Sequence, residues 1–173
     1  MNTNDGSLRP RPVSESKSEM IELVLPNDTN PLGALLGGRL MHWIDLAGAL
    51  AAHRHSHSYV VTASMDHIDF LVPVQVADMV ILQSSVNRAF HTSMEVGVRV
   101  SVENYISSSR QRKVASAYLT FVAVDLHGRR LQVPPVIPET EEEKRRYEGA
   151  LRRRESAKVE RESRAADRGA RED

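Results

Sequence analysis

The chain has 173 residues, enough for one ordinary domain with a buried core and too few for two of typical size. Its 23 basic residues cancel its 23 acidic ones, so no global field recommends nucleic acid or an anionic membrane surface as a partner. There is no cysteine, which excludes disulfides, thiolate catalysis and cysteine-ligated zinc together.

Residues 1–18 combine Ser, Asn, Pro, Arg and Lys without apolar periodicity and predict a flexible arm, because they offer too little apolar surface to offset the entropy of ordering. They also lack the apolar segment of a secretory signal, and no run of about 18 apolar residues occurs anywhere, so a soluble, cytoplasmic protein is expected. Ile21, Leu23 and Leu25, with polar Glu22 between the first two, predict a short strand closed by Pro26. Residues 26–36, PNDTNPLGALL, read as a turn-rich connection, with Gly33 permitting a tight bend. A helix is expected over 38–54. Four strand segments follow, at 59–74, 78–90, 92–104 and 113–125, separated by Pro73 and Asp78, by His91, by the SSSRQ turn and by HGRR. In the third, Met94, Val96, Val98, Val100 and Val102 alternate with Glu95, Arg99, Ser101 and Glu103, the pattern of a half-buried antiparallel strand. From Glu139 onward eleven basic residues face eleven acidic ones. This charged tail, 139–173, predicts a solvated helix over EEEKRRYEGALRRRE and disorder over ESRAADRGARED.

Four long strands, one short strand and one long helix imply an α+β domain over 19–138, an antiparallel sheet of about five strands with the helix as its core. Leu40, Met41, Trp43, Ile44, Leu46, Ala47, Ala49, Leu50, Ala51 and Ala52 spread around the whole helix. One sheet encloses about half of such a helix, and a second copy of the chain is the economical cover for the rest.

Asp45 stands inside this apolar run, where a carboxylate without partners would cost several kcal/mol. A structural aspartate bonded to a neighbouring hydroxyl or amide is the plain alternative to a reactive one. Gly37 and Gly38 open the helix, so unencumbered backbone amides point out of its positive end. An amide cluster and a carboxylate together suggest an oxyanion site with an acid, base or nucleophile beside it. Yet Asp45 lies eight residues after Gly37, which is ~12 Å along one axis at the helical rise. If two copies pack their helices antiparallel about a two-fold near Met41, Gly37 of one chain comes opposite Asp45 of the other. Burial and chemistry then ask for the same dimer.

The run Asp28-Thr29-Asn30-Pro31-Leu32-Gly33, then Gly37-Gly38-Arg39-Leu40-Met41, then Trp43-Ile44-Asp45, resembles the signature of hotdog-fold acyl-CoA thioesterases of the cytosolic acyl-CoA hydrolase branch. VTASMDHIDFLVPVQVADMV and NRAFHTSMEVGVRV resemble that branch's following segments, and the resemblance extends over roughly 19–137. It implies an antiparallel sheet wrapped around one long central helix, dimers with two shared sites as the minimal active unit, and commonly homohexamers built as trimers of dimers. The implied reaction is hydrolysis of an acyl-CoA thioester to free acid and coenzyme A, with no cofactor and no metal. The family's catalytic aspartate falls on Asp45, its asparagine on Asn30 and its oxyanion-binding amide on Gly37, with Gly38 adjacent. On this reading Asp45 activates water or attacks directly to give a mixed anhydride. One departure is Ala77, where relatives often carry Gly; a changed turn is expected there rather than lost chemistry.

Coenzyme A is anionic, so basic and hydroxyl side chains near the site matter. Arg88, Arg99 and Lys113, with Thr92 and Ser93, come into view, and Arg88 and Ser93 are taken as substrate-binding candidates. His53, His55 and His57 have a spacing that suits a metal in an extended segment, but a helix C-terminus favours imidazolium and accounts for them better. Asp66 and Asp69 read as strand-end residues and Trp43 as core. A hotdog dehydratase would need a histidine and a carboxylate in the site, for which His42 lies near Asp45. A non-catalytic acyl-CoA-binding regulator would use the same fold without turnover.

Overall fold

The computed structural model describes residues 8–104 and 111–169, without the side chains of residues 67, 69, 70, 161 and 164–169. In chain order the elements are β1 (Arg11–Pro12), α1 (Val13–Ser16), β2 (Ser18–Leu23), a 3-10 turn (Pro26–Asp28), α2 (Gly37–Ser56), β3 (Tyr59–Phe70), β4 (Asp78–Ala89), β5 (Ser93–Asn104), β6 (Arg112–Val124), β7 (Val136–Ile137) and α3 (Glu141–Gly169). Five strands form one antiparallel sheet in the order β2-β4-β5-β6-β3. The expected architecture is therefore present, with strand ends moved by a few residues: β3 stops at Phe70 rather than 74. Most of the SSSRQ turn and the side chain of Asp69 lie outside the described residues.

The alternation read in β5 holds for its apolar face, but the strand is not half-buried, because Glu95 and Ser101 on the other face are buried as well. Met94, Val96, Val98, Val100 and Val102 are all buried against α2, together with Val80, Leu82 and Val86 of β4 and Leu119 and Phe121 of β6. On α2 the buried residues recur at helical spacing, Leu40, Trp43, Ile44, Ala47, Gly48, Ala51, Ala52 and His55. At Gly48 the helix comes so close that an added Cβ would lie 2.9 Å from the Phe121 ring. Ser84 of β4 fastens the two layers by donating to the Ala47 carbonyl at 2.6 Å. The opposite stripe of α2 stays open: Met41, Leu46 and Leu50 are each more than 40% exposed. Within one chain the helix is thus covered on one side only, as the argument for a second copy requires.

Two expectations need correction. The arm drawn over 1–18 joins the folded body by residue 11, because Arg11–Pro12 pair in parallel with Val136–Ile137 and Val13 and Ser16 are buried. Ser16 Oγ accepts the Val86 amide at 2.9 Å, and Arg11 donates to the His55 carbonyl at 2.8 Å. The tail is not merely solvated. α3 continues through Gly169, its own Glu143 and Ala150 are buried, and it packs on the sheet through β4 and through the Arg153–Glu95 pair. Glu143 also closes the start of α3, accepting from the Glu139 and Thr140 amides and pairing with Lys17 at 2.9 Å. Burial works against its charge, yet that ammonium and those two amides hold its carboxyl down to about 2. Among the described residues no helix is long and apolar enough to cross a membrane.

Ala77 occupies a left-handed conformation, φ +67°, in the turn before β4. Ala77 therefore adopts the backbone that glycine favours and bears the steric cost.

Candidate active site

The connection before α2 is built around Asn30. Its backbone amide donates to the Ala34 carbonyl at 2.8 Å, and its carbonyl accepts the Gly33 amide at 2.9 Å, with Gly33 at φ +76°. Its side-chain Oδ1 accepts from the Leu32 and Ala34 amides at 2.9 and 3.2 Å, so the loop holds its carboxamide by the oxygen. The NH2 group has no partner among the described residues and remains a donor. Asp28, buried below the loop, accepts from the Leu25 amide and pairs with Arg39 at 2.8 Å, which ties the loop to the first turn of α2.

The residue before that turn is Leu36, which has no oxygen to cap the helix. Gly37 and Gly38 thus present amides from the positive end of α2, and the space where a side chain would stand at Gly38 is empty. Gly37 borders an apolar cleft of about 290 Å³, walled by Leu35, Leu40, Val72, Val74 and Val114. Asn30, Gly37 and Gly38 therefore gather at one end of α2, beside a space suited to an apolar chain.

Asp45 is elsewhere. It is half-buried on α2, between the core positions Trp43 and Ile44 and the open apolar stripe, and it is absent from the cleft walls. Its Oδ1 accepts from Thr62 Oγ1 of β3 at 2.6 Å. Thr62 lies opposite Phe121 in the β3–β6 register. This hydroxyl went unremarked in the sequence, because only strand register decides which β3 residue meets the helix carboxylate. One oxygen of Asp45 is held by the hydroxyl, and the other has no partner among the described residues.

Arg88 and Ser93 lie on the other face of the sheet. The Arg88 guanidinium stacks 4.0 Å over the Tyr147 ring and donates to the Tyr147 carbonyl at 3.3 Å; Ser93 Oγ accepts from Arg154 at 3.1 Å. Both are engaged by α3 and neither is brought to Asp45 within one chain. His53 Nδ1 lies 2.9 Å from the Ser58 carbonyl, and buried His55 bonds the Pro134 carbonyl through Nε2 at 2.8 Å. Among the described residues no group of three or more His, Asp or Glu is placed to hold a metal ion.

Residues 32–105 match the thioesterase superfamily. The uncharacterized acyl-CoA thioester hydrolase YkhA of Bacillus subtilis is 43% identical over 139 residues, 80% of this chain and 80% of that one. The human cytosolic acyl coenzyme A thioester hydrolase is 36% identical over 140 residues, 80% of this chain; this chain spans only 37% of its length. Among solved structures, an apo-hexameric acyl-CoA thioesterase superposes with a TM-score of 0.85 at 42% identity, covering 88% of this chain and 97% of that one. The Staphylococcus aureus acyl-CoA hydrolase, in complex with butyryl coenzyme A and coenzyme A, gives 0.82 at 38% identity, covering 90% and 95%. Variants of the S. aureus enzyme replace an asparagine, an aspartate and a threonine by alanine, the aspartate 15 residues after the asparagine and 17 before the threonine. Asn30, Asp45 and Thr62 have the same separations.

Proposed function

The chain belongs to the thioesterase superfamily, among its acyl-CoA thioester hydrolases, and from that premise we propose that it hydrolyses an acyl-CoA thioester to the free acid and coenzyme A in the cytoplasm. The observation that carries the reading is the Thr62–Asp45 hydrogen bond on the open side of α2. A reactive carboxylate held by one oxygen faces outward, toward the position a second copy would occupy.

The active unit in this reading is a homodimer, assembled further into a hexamer as in the hexameric relatives. The open stripe of Met41, Leu46 and Leu50, and Tyr59 and Val61 on edge strand β3, supply the apolar surface for pairing. Antiparallel α2 helices bring Asp45 of one protomer to Asn30 and Gly37 of the partner subunit. The acyl chain enters the cleft beside Gly37. The Gly37 amide donates to the thioester carbonyl oxygen, and the Asn30 NH2 orients the carbonyl or the attacking water. Asp45, positioned by Thr62, takes a proton from water as oxygen adds to the carbonyl carbon. Collapse of the tetrahedral intermediate expels the thiolate, which receives that proton. A thioester carbonyl is electrophilic and its thiolate a fair leaving group, so a carboxylate with an oxyanion donor suffices. Direct attack by Asp45 is the variant of this route. Water attacking that anhydride at the Asp45 carbonyl would place label in the Asp45 carboxylate after one turnover in heavy-oxygen water, a result that rules out the general-base route.

Thiol release from a panel of acyl-CoAs of increasing chain length tests the reading. Turnover is expected, and Asp45→Asn should lower kcat by about 10²–10⁴-fold while leaving the melting temperature in place. Tight acyl-CoA binding without thiol release would overturn it in favour of a non-catalytic binding protein.

A further inference from the structure

The outer face of the sheet and α3 enclose a cleft of about 460 Å³, on the side away from Asp45 and lined by residues to which the proposed reaction gives no role. Six cations line it, Arg99 of β5, Lys113 of β6, and Arg145, Arg146, Arg152 and Arg153 of α3, against one acidic residue, Glu142. In a chain whose formal charges sum to zero, this is a local concentration that composition does not explain. The anionic partners at hand do not neutralise it. Arg153 is taken by Glu95 at 2.6 Å, and Glu142 serves Arg146 at 2.6 Å and Arg145 only at 4.0 Å. Arg99, Lys113 and Arg152 have no partner among the described residues. These three side chains are exposed, so solvent moderates their mutual repulsion, and an anion between them would relieve it further.

We infer that this cleft is a second ligand site, taking a small phosphate-bearing molecule bridged between the sheet and α3 by Arg99, Lys113 and Arg152. The cations come from three different elements, so the ligand touches both layers. Guanidinium forks match phosphate oxygens in paired hydrogen bonds. Walls on two sides and this volume suit a small molecule rather than a polypeptide or a nucleic-acid strand. The floor adds polar groups, Gln83, Asn87 and Ser116. Gly97 makes room for Asn87, since an added Cβ would lie 2.9 Å from its Nδ2. Asn87 spends that Nδ2 on Glu95 at 2.8 Å, which steadies the carboxylate holding Arg153, and its buried Oδ1 remains without a donor. The site is independent of the hydrolase reading, because Asp45 and Thr62 lie on the other face.

Calorimetric titration of the full chain with inorganic phosphate and with pyrophosphate, at constant chloride, tests this. Saturable binding of pyrophosphate is expected, one per chain, and Arg99→Glu or Arg152→Glu should each weaken it by about tenfold or more. Arg129→Glu, an exposed charge remote from the cleft, and Asp45→Asn should leave it unchanged. Repeating the titration with coenzyme A present separates the sources. Competition that persists in Asp45→Asn assigns the site to the coenzyme's phosphates, and additive binding to a separate phosphorylated molecule. Absence of saturable binding, or equal weakening by Arg129→Glu, would overturn the inference.

Discussion

The two faces of the sheet are covered by helices of opposite character. On the inner face α2 packs Ile44, Ala47 and Ala51 onto valines, leucines and Phe121, with one glycine at the closest approach. On the outer face α3 uses few apolar residues. Arg153 stacks 3.6 Å over Tyr118 while gripping Glu95, Arg154 stacks 3.9 Å over Phe90, and Arg88 reaches up from β4 to lie over Tyr147. The contrast teaches that a highly charged helix can cover a sheet when its guanidinium stems and planes lie on aromatic rings. It also separates labour: the face that buries the core carries the candidate chemistry on its helix, and the charged face gathers the cations.

Phe121→Ala should cost about 3–5 kcal/mol in urea unfolding, since it empties the contact beneath Gly48. Arg153→Ala should cost less, about 1–3 kcal/mol, through loss of the ring contact and an unpaired Glu95 that is 4% exposed. The reverse order would mean that the charged face, not the apolar one, dominates the fold.

The corners where the two layers are fastened should respond to pH. Burial pushes the His55 imidazole below its ordinary value near 6.5, only partly countered by its bond to the Pro134 carbonyl. The unfolded chain then takes up a proton before the folded one does. The contribution of His55 is whole above pH 6.5 and is lost as pH falls through the lowered folded value. Urea midpoints at pH 7.5 and 5.5 should differ more for the wild type than for His55→Gln, and equal differences would refute this. Glu143, held at about 2, adds a second loss as pH falls from about 4.5 toward that value. The smallest effect is expected at the turn before β4, where Ala77→Gly should raise stability by about 0.5–1 kcal/mol by relieving the left-handed backbone.

The contrast between the faces also explains what was legible in the sequence. The inner face repeats with clean periods, the valines of β5 every second residue and the α2 contacts every third or fourth, so the sheet, the helix and their approximate bounds could be read directly. The outer face could not, because Arg153 and Glu95 look like solvated charges until the fold stacks one on Tyr118 and buries the other. β1 and β7 are two residues each and carry no period at all. For the candidate site, Asp45 and the Gly37 amide stand out from the residues themselves, Asn30 enters only through the resemblance, and the helical rise alone argues that Gly37 and Asp45 of one chain do not meet. Thr62 stayed hidden because its role depends on the register between β3 and β6.

In the proposed dimer one reactive centre is assembled from two copies of the chain, Asp45 from one and the Gly37 amide from the other. Co-expression of Asp45→Asn chains with Gly37→Pro chains tests this, because proline at the first helical position removes the amide hydrogen and is tolerated there. Each variant alone should be inactive in thiol release. Verified mixed dimers should regain one intact site of two, which is about a quarter of wild-type activity in a random one-to-one mixture. Mixed dimers that remain inactive, although both variants fold and pair, would contradict the shared centre.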